Sequence, residues 1–162
     1  MKEQKLEFHY EVYDDISELS QEDASLLSKA REVLNQAYAP YSHFNVGAVA
    51  RMANGDEVKG TNQENASYPV GICAERVLLG TAANMFPEMA ISTLAISYGG
   101  KNVVSDHPIS PCGMCRQALS EFENRVNQPM RVILGGLKGK IYILASASLL
   151  LPFAFTKEEL KK

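Results

Sequence analysis

All three cysteines of this chain fall in two short segments, Cys73-Ala74-Glu75 and Pro111-Cys112-Gly113-Met114-Cys115. Cys112 and Cys115 are separated by two residues, a spacing that lets two thiolates grip one tetrahedral ion. Cys73, brought in by the fold, would be a third ligand. Three protein ligands leave a fourth position for water, and a zinc-bound water is a nucleophile near neutral pH. Glu75, two residues after a ligand, is placed to move that water's proton. The spacing alone leaves two other readings open: C-x-x-C also occurs as a redox pair and as half of a structural zinc ribbon. A structural site wants four protein ligands, and the sequence has no fourth cysteine. His9, His43 and His107 stand at no ligand-like spacing from a cysteine. A redox pair would leave Cys73 and Glu75 without a role.

The elements that must position these residues follow from pattern. Ser20 with Asp23 reads as a helix start, and Leu26, Leu27, Ala30, Val33, Leu34 and Ala37 follow at helical spacing. That helix should end before Pro40. Phe44 to Met52 reads as a strand, Asn54-Gly55 as a hairpin turn and Glu57 to Thr61 as the returning strand. Cys73 opens an apolar helix to about Met85, Thr93 to Tyr98 is a strand, and Pro111 precedes a helix over about 113–124. Met130 to Leu134 and Ile141 to Ala145 complete the strands. The order predicts an α/β protein, a three-layer α/β/α sandwich around a mixed sheet of about five strands. Cys73 and Cys112 then fall at helix N-termini, where the dipole favours thiolate. Cys115 lies one turn further along the face of Cys112.

Bulk properties narrow the partners. The 162 residues fit one domain, enough to bury about 70% of the unfolded surface. We expect residues 20–162 to form that domain and residues 1–19 to be an N-terminal extension. The extension alternates apolar residues (Leu6, Phe8, Tyr10, Val12) with charged and polar ones, as an edge strand or a loose arm would. A net charge of -3 disfavours a polynucleotide partner, which needs clustered Lys and Arg. The N-terminus lacks the apolar core of a signal peptide. The longest apolar stretch, Ile141 to Phe155, is too short to span a membrane. An odd cysteine count fits a reducing compartment. The expectation is a cytoplasmic protein with neither a membrane nor a nucleic-acid partner.

Several motifs lie in one order along the chain: Ala-Pro-Tyr-Ser-His-Phe-Asn-Val-Gly-Ala (Ala39 to Ala48), Asn-Gln-Glu-Asn-Ala-Ser-Tyr (Asn62 to Tyr68), Cys-Ala-Glu-Arg (Cys73 to Arg76), Ser-Pro-Cys-Gly-Met-Cys-Arg-Gln (Ser110 to Gln117) and Leu-Leu-Pro-Phe-Ala-Phe (Leu150 to Phe155). In these the chain resembles the cytidine deaminases of the compact, three-cysteine, homotetrameric type, over roughly Ser20 to Leu160. Three Cys or His ligands with a non-ligand Glu are the pattern of zinc enzymes acting on nucleobases. The resemblance implies Zn2+ held by Cys73, Cys112 and Cys115, with Glu75 as proton shuttle. It implies a nucleoside pocket of Phe44, Asn62 and Glu64, with Tyr41, Tyr68 and Ala74 as further substrate-binding residues. Asn62 and Glu64 would take the ribose hydroxyls, and Phe155 would reach the base in a neighbouring subunit's site. The implied reaction is hydrolytic deamination of cytidine and deoxycytidine in pyrimidine salvage.

Residue chemistry runs parallel to these assignments. Asn62 and Glu64 are two apart, so both side chains share one face of an extended segment. A carboxylate and a carboxamide together match hydroxyls that both donate and accept. By themselves the two would read first as a turn with a solvated glutamate, and Phe44 as a core residue; the family resemblance is what lifts them. Three thiolates on zinc carry a formal charge of -1, which opposes deprotonation of bound water. A guanidinium at Arg76 donating to a thiolate would restore acidity. Phe153 departs from the small or polar residue expected in the tail motif. Two alternatives stand beside this reading: a deaminase of another cytosine-bearing small molecule, such as a nucleoside antibiotic, and a non-catalytic zinc-stabilised binding module.

Overall fold

The computed structural model describes residues 1–160. The first helix, α1 (Gln21–Glu32), starts where Ser20 Oγ accepts a hydrogen bond from the Asp23 N–H at 3.2 Å. It tightens into a 3-10 turn over Val33–Gln36 before Pro40 forces extended backbone. The strands are β1 (Tyr10–Tyr13), β2 (Phe44–Met52), β3 (Glu57–Thr61), β4 (Ile91–Gly100), β5 (Arg131–Gly135) and β6 (Ile141–Leu144). Helix α2 (Ala74–Met85) follows β3, and α3 (Gly113–Val126) lies between β4 and β5.

The sheet order is β1-β6-β5-β4-β2-β3, with β4 and β5 parallel and every other pair antiparallel. Alternation along the strands divides the core in two. Val49, Ala95, Ile133, Ile141 and Ile143 pack on Leu26, Leu27, Ala30 and Val33 of the α1 layer. Ala48, Ala50, Leu94, Ile96, Val132 and Leu134 pack on Leu78, Leu79 and Ala82 of α2 and on Leu119 and Phe122 of α3. The α/β/α layering is as expected.

The sheet has six strands rather than about five. The sixth comes from the N-terminal extension, whose Tyr10 to Tyr13 pair with Leu144 to Ile141 of β6. Its residues are mostly exposed, and its anchorage is backbone pairing plus the Tyr10 ring against Tyr142, with centroids 5.1 Å apart. An alternating run only permits an edge strand; the unpaired N–H and C=O groups of β6 supply the reason for one. Strand β4 is also longer than its apolar stretch, because Ile91 pairs with Met52 and Gly100 with Phe44.

One buried carboxylate closes the α3 end. Glu123 accepts from the N–H groups of Met130 (2.5 Å), Ala147 (2.8 Å) and Ser148 (3.0 Å) and from the hydroxyls of Ser146 and Ser148. It thereby ties α3 to the start of β5 and to the 3-10 turn over Ala147–Leu150. Glu123→Ala leaves several buried donors unpaired. We expect it to cost about 3 kcal/mol, read as a lowered urea midpoint. A midpoint equal to wild type would show that these donors find other partners.

Candidate active site

Cys73 is the N-cap of α2 and Cys112 the N-cap of α3. Both helices therefore bring their N-termini to one place above the sheet. Gly60 on β3 makes the approach of α2 possible, since a Cβ there would stand 2.3 Å from the Ala74 carbonyl oxygen and 2.6 Å from the Leu78 nitrogen. Ala74 is itself fully buried, so it serves the site through its backbone and small volume.

The three sulfurs lie within 4.8 Å of one another. Cys73 and Cys112 are 3.8 Å apart, and Cys112 and Cys115 are 3.4 Å apart. Zinc–sulfur bonds of about 2.3 Å in a tetrahedron require sulfurs about 3.8 Å apart. The geometry and the all-thiol donor set fit that ion. Among the described residues no other group of three His, Cys, Asp or Glu side chains is arranged this way. The sulfurs share protons: a hydrogen bond from Cys115 lowers the Cys73 thiol to about 6, against the opposing effect of burial. The same bond, with burial, pushes Cys115 up. Arg76 adds a smaller charge contribution that lowers Cys73 further.

Glu75 is only 4% exposed. Burial raises its carboxyl, opposed by hydrogen bonds from its own backbone N–H and from Cys115. A carboxyl so raised is a better proton acceptor than an exposed one, the property a general acid–base needs. Cys73, Glu75 and Cys112 line a cavity of about 400 Å3 whose other walls include Phe44, Asn62, Glu64, Ile96 and Pro111. The size suits a small ligand.

The cavity's polar wall is built differently from a simple pair of hydroxyl acceptors. Asn62 Oδ1 accepts from the Val46 N–H at 2.8 Å, and Asn62 Nδ2 donates to the Phe44 carbonyl at 2.8 Å. This carboxamide pins β2 against the segment after β3. One N–H and one lone pair remain for a ligand. Glu64 Oε2 accepts from the N–H groups of Tyr41 (2.9 Å) and Ser42 (3.3 Å). The Ser42 side chain and these amides hold its carboxyl below the usual range.

Tyr41 and Tyr68 lie outside the main cavity. They line an adjoining hollow of about 310 Å3 with Asn65 and Gly71, and Ser42 and Glu64 border both spaces. Their rings meet edge-on, with centroids 6.1 Å apart. Phe155 is 59% exposed and lines neither space. Its carbonyl accepts from Gln117 Nε2 at 2.8 Å. Sequence reasoning missed Ser42, Val46, Ile96, Ile109, Ser110 and Pro111 as wall residues. Ser42, Val46, Ser110 and Pro111 stood inside the quoted motifs, whereas Ile96 and Ile109 carried no signal beyond hydrophobicity. It also missed Arg116, whose Nε donates to the Pro111 carbonyl at 2.8 Å and whose Nη1 donates to Leu150 at 3.4 Å. Arg116 thus joins the first turn of α3 to the tail.

A thiol triad and a buried glutamate at converging helix N-termini place the chain in the class of zinc hydrolases that act on nucleobases. A family model for the cytidine and deoxycytidylate deaminase zinc-binding region matches residues 20–128. A cytidine deaminase of Halalkalibacterium halodurans is 39% identical over 137 residues, 83% of this chain and 95% of that protein. The crystal structure of a cytidine deaminase from Burkholderia pseudomallei superposes with a TM-score of 0.71 at 34% identity, covering 85% of this chain and all of that one. A blasticidin-S deaminase of Bacillus cereus is 27% identical over 86% of this chain and 96% of its own length. The chain belongs to the cytidine and deoxycytidylate deaminase family, and it is a zinc enzyme.

Proposed function

We propose that the protein deaminates cytidine and deoxycytidine, taking up water and releasing ammonia with uridine or deoxyuridine. The observation that carries this reading is one cavity in which Cys73 and Cys112 of the thiol triad and Glu75 face Phe44, Asn62 and Glu64. Phe44 offers a ring against the base, and Glu64 with the remaining capacity of Asn62 offers partners for sugar hydroxyls. Cys73, Cys112 and Cys115 would hold zinc, which supplies Lewis-acid activation of the attacking water when bound. Glu75 takes the water's proton as the C4–O bond forms and passes it to N3. The proton of the new C4 hydroxyl, relayed by the same carboxyl, goes to the amine as the C4–N bond breaks and the C4 carbonyl forms. Arg76 contributes positive charge beside Cys73.

The reading extends to a domain of residues 20–162, of which 161 and 162 lie outside the described residues, with 1–19 an extension. No described helix is long and apolar enough to cross a membrane. We place this activity in cytoplasmic pyrimidine salvage, since an odd count of three cysteines fits a reducing compartment. We further propose a homotetramer in which Phe155 enters a neighbouring subunit's site. Its exposure and its place outside the lining of its own chain's cavity support that role, as does Phe153 at 98% exposure. Loss of one buried ring contact predicts a KM for Phe155→Ala raised about tenfold. Unchanged kinetics, with an unchanged mass by light scattering, would remove Phe155 from the site.

The test of function is the ultraviolet absorbance of cytidine and deoxycytidine incubated with the zinc-loaded protein. Loss of the cytosine band with ammonia release is expected. Inertness toward both would favour a larger cytosine nucleoside, a reading supported by the adjoining Tyr41–Tyr68 hollow and the likeness to blasticidin-S deaminase.

A further inference from the structure

Phe44 is the one aromatic wall of the cavity, and what holds it is not on its own strand. Its ring stacks on Tyr98 of β4, with centroids 5.3 Å apart and planes 17° from parallel. Tyr98 is 1% exposed and contributes nothing to the cavity surface. Val46 faces Tyr98 across the strand pair, so Phe44 is its diagonal neighbour on the same face. The backbone around Phe44 is equally constrained. A Cβ at Gly100 would lie 1.9 Å from the His43 carbonyl oxygen, so the end of β4 presses directly on the residue before Phe44.

The other end of Tyr98 reaches the loop that leads to the opposite wall. Its hydroxyl lies 3.3 Å from the Val104 carbonyl and 3.3 Å from His107 Nδ1. His107 Nδ1 is also 3.0 Å from Asp106 Oδ1. A carboxylate only accepts, so this nitrogen carries the proton. The Tyr98 hydroxyl then donates to Val104, and the single Nδ1–H is shared between Asp106 Oδ1 and the Tyr98 oxygen. Ser105 Oγ donates to the Tyr98 carbonyl at 2.6 Å and accepts from the Leu137 N–H at 2.8 Å. Residues 104–107 are thus moored to Tyr98 just before Ile109, Ser110 and Pro111, which form the second cavity wall and lead into Cys112.

We propose that Tyr98 is a positioning residue that sets the width of the base slot, its ring backing Phe44 and its hydroxyl holding the loop that carries Ile109 to Pro111. The inference rests on the nucleoside reading of this cavity. Its effect belongs to substrate binding, because Tyr98 touches neither the sulfurs nor Glu75.

The test compares wild type, Tyr98→Phe, His107→Ala and the double variant, all zinc-loaded. Tyr98→Phe keeps the stacked ring and the Ser105 bond to the backbone carbonyl, and loses only the hydroxyl's contacts with Val104 and His107. Loss of one buried hydrogen bond predicts KM raised about fivefold, with kcat within about twofold. His107→Ala should raise KM by a similar factor, and the double variant should be no worse than the larger single effect. Amide hydrogen exchange over residues 103–112 should accelerate in each variant, a readout that needs no substrate. Unchanged exchange, or an unchanged KM despite faster exchange, would overturn the role of Tyr98. A wild-type protein inert toward cytosine nucleosides would instead overturn the function, leaving exchange to decide the mooring separately.

Discussion

Glu75→Gln is expected to lower kcat by about 10³-fold while leaving one zinc per chain, the range lost when a positioned general acid–base is removed. The substitution keeps the size of the side chain and its place in the first turn of α2. It removes only the capacity to take and return a proton. In the proposed mechanism Glu75 serves both the attacking water and the departing amine, so no neighbouring group shares the task. The other carboxylate of the cavity, Glu64, has its oxygen held by the Tyr41 and Ser42 amides. The measurement is turnover of cytidine beside metal content by mass spectrometry. Activity above a tenth of wild type, with zinc retained, would mean that the proton travels elsewhere.

Cys112→Ala should abolish stoichiometric zinc and with it measurable turnover, yet leave a folded protein. Two sulfurs cannot close a tetrahedral site against competing water. We expect the fold to survive without the ion, because neither apolar cluster of the core includes one of the three cysteines. This separates the protein from small zinc modules, which unfold when stripped. Far-ultraviolet circular dichroism should therefore match wild type, and chelation of the wild-type protein should give the same outcome reversibly. Collapse of the secondary structure on metal removal would mark the zinc as structural. Full zinc content in the variant would refute Cys112 as a ligand.

The N-capping by Ser20, the strand over Phe44–Met52, the hairpin to Thr61 and the two cysteine-led helices were legible because each has local punctuation. A capping side chain, an Asn-Gly turn and proline before Cys112 act within a few residues of where they stand. The cysteines were legible for a related reason: thiol chemistry is rare, and three thiols with no fourth ligand limit what they can do. The same residues fix that a metal and a proton-transfer group belong together.

Tertiary structure alone decided the rest. Whether residues 10–13 form a strand depended on β6 having an open edge, a fact about a strand some 130 positions away. Asn62 reads in sequence as a ligand partner, but its carboxamide is largely spent on Val46 and Phe44, because a buried backbone N–H and C=O at that junction need partners. Tyr98, Ile96 and Ile109 carry no motif-level sign of their places, and Arg116 stands in a motif that gives no sign of its partners. They acquire them from which face of β4 meets which loop, and side chains from distant segments are brought within a few ångströms only by packing. The chain's own order of residues therefore determined the chemistry available to it. The shape of the slot in which that chemistry operates was set by long-range contacts, whose partners no local pattern encodes.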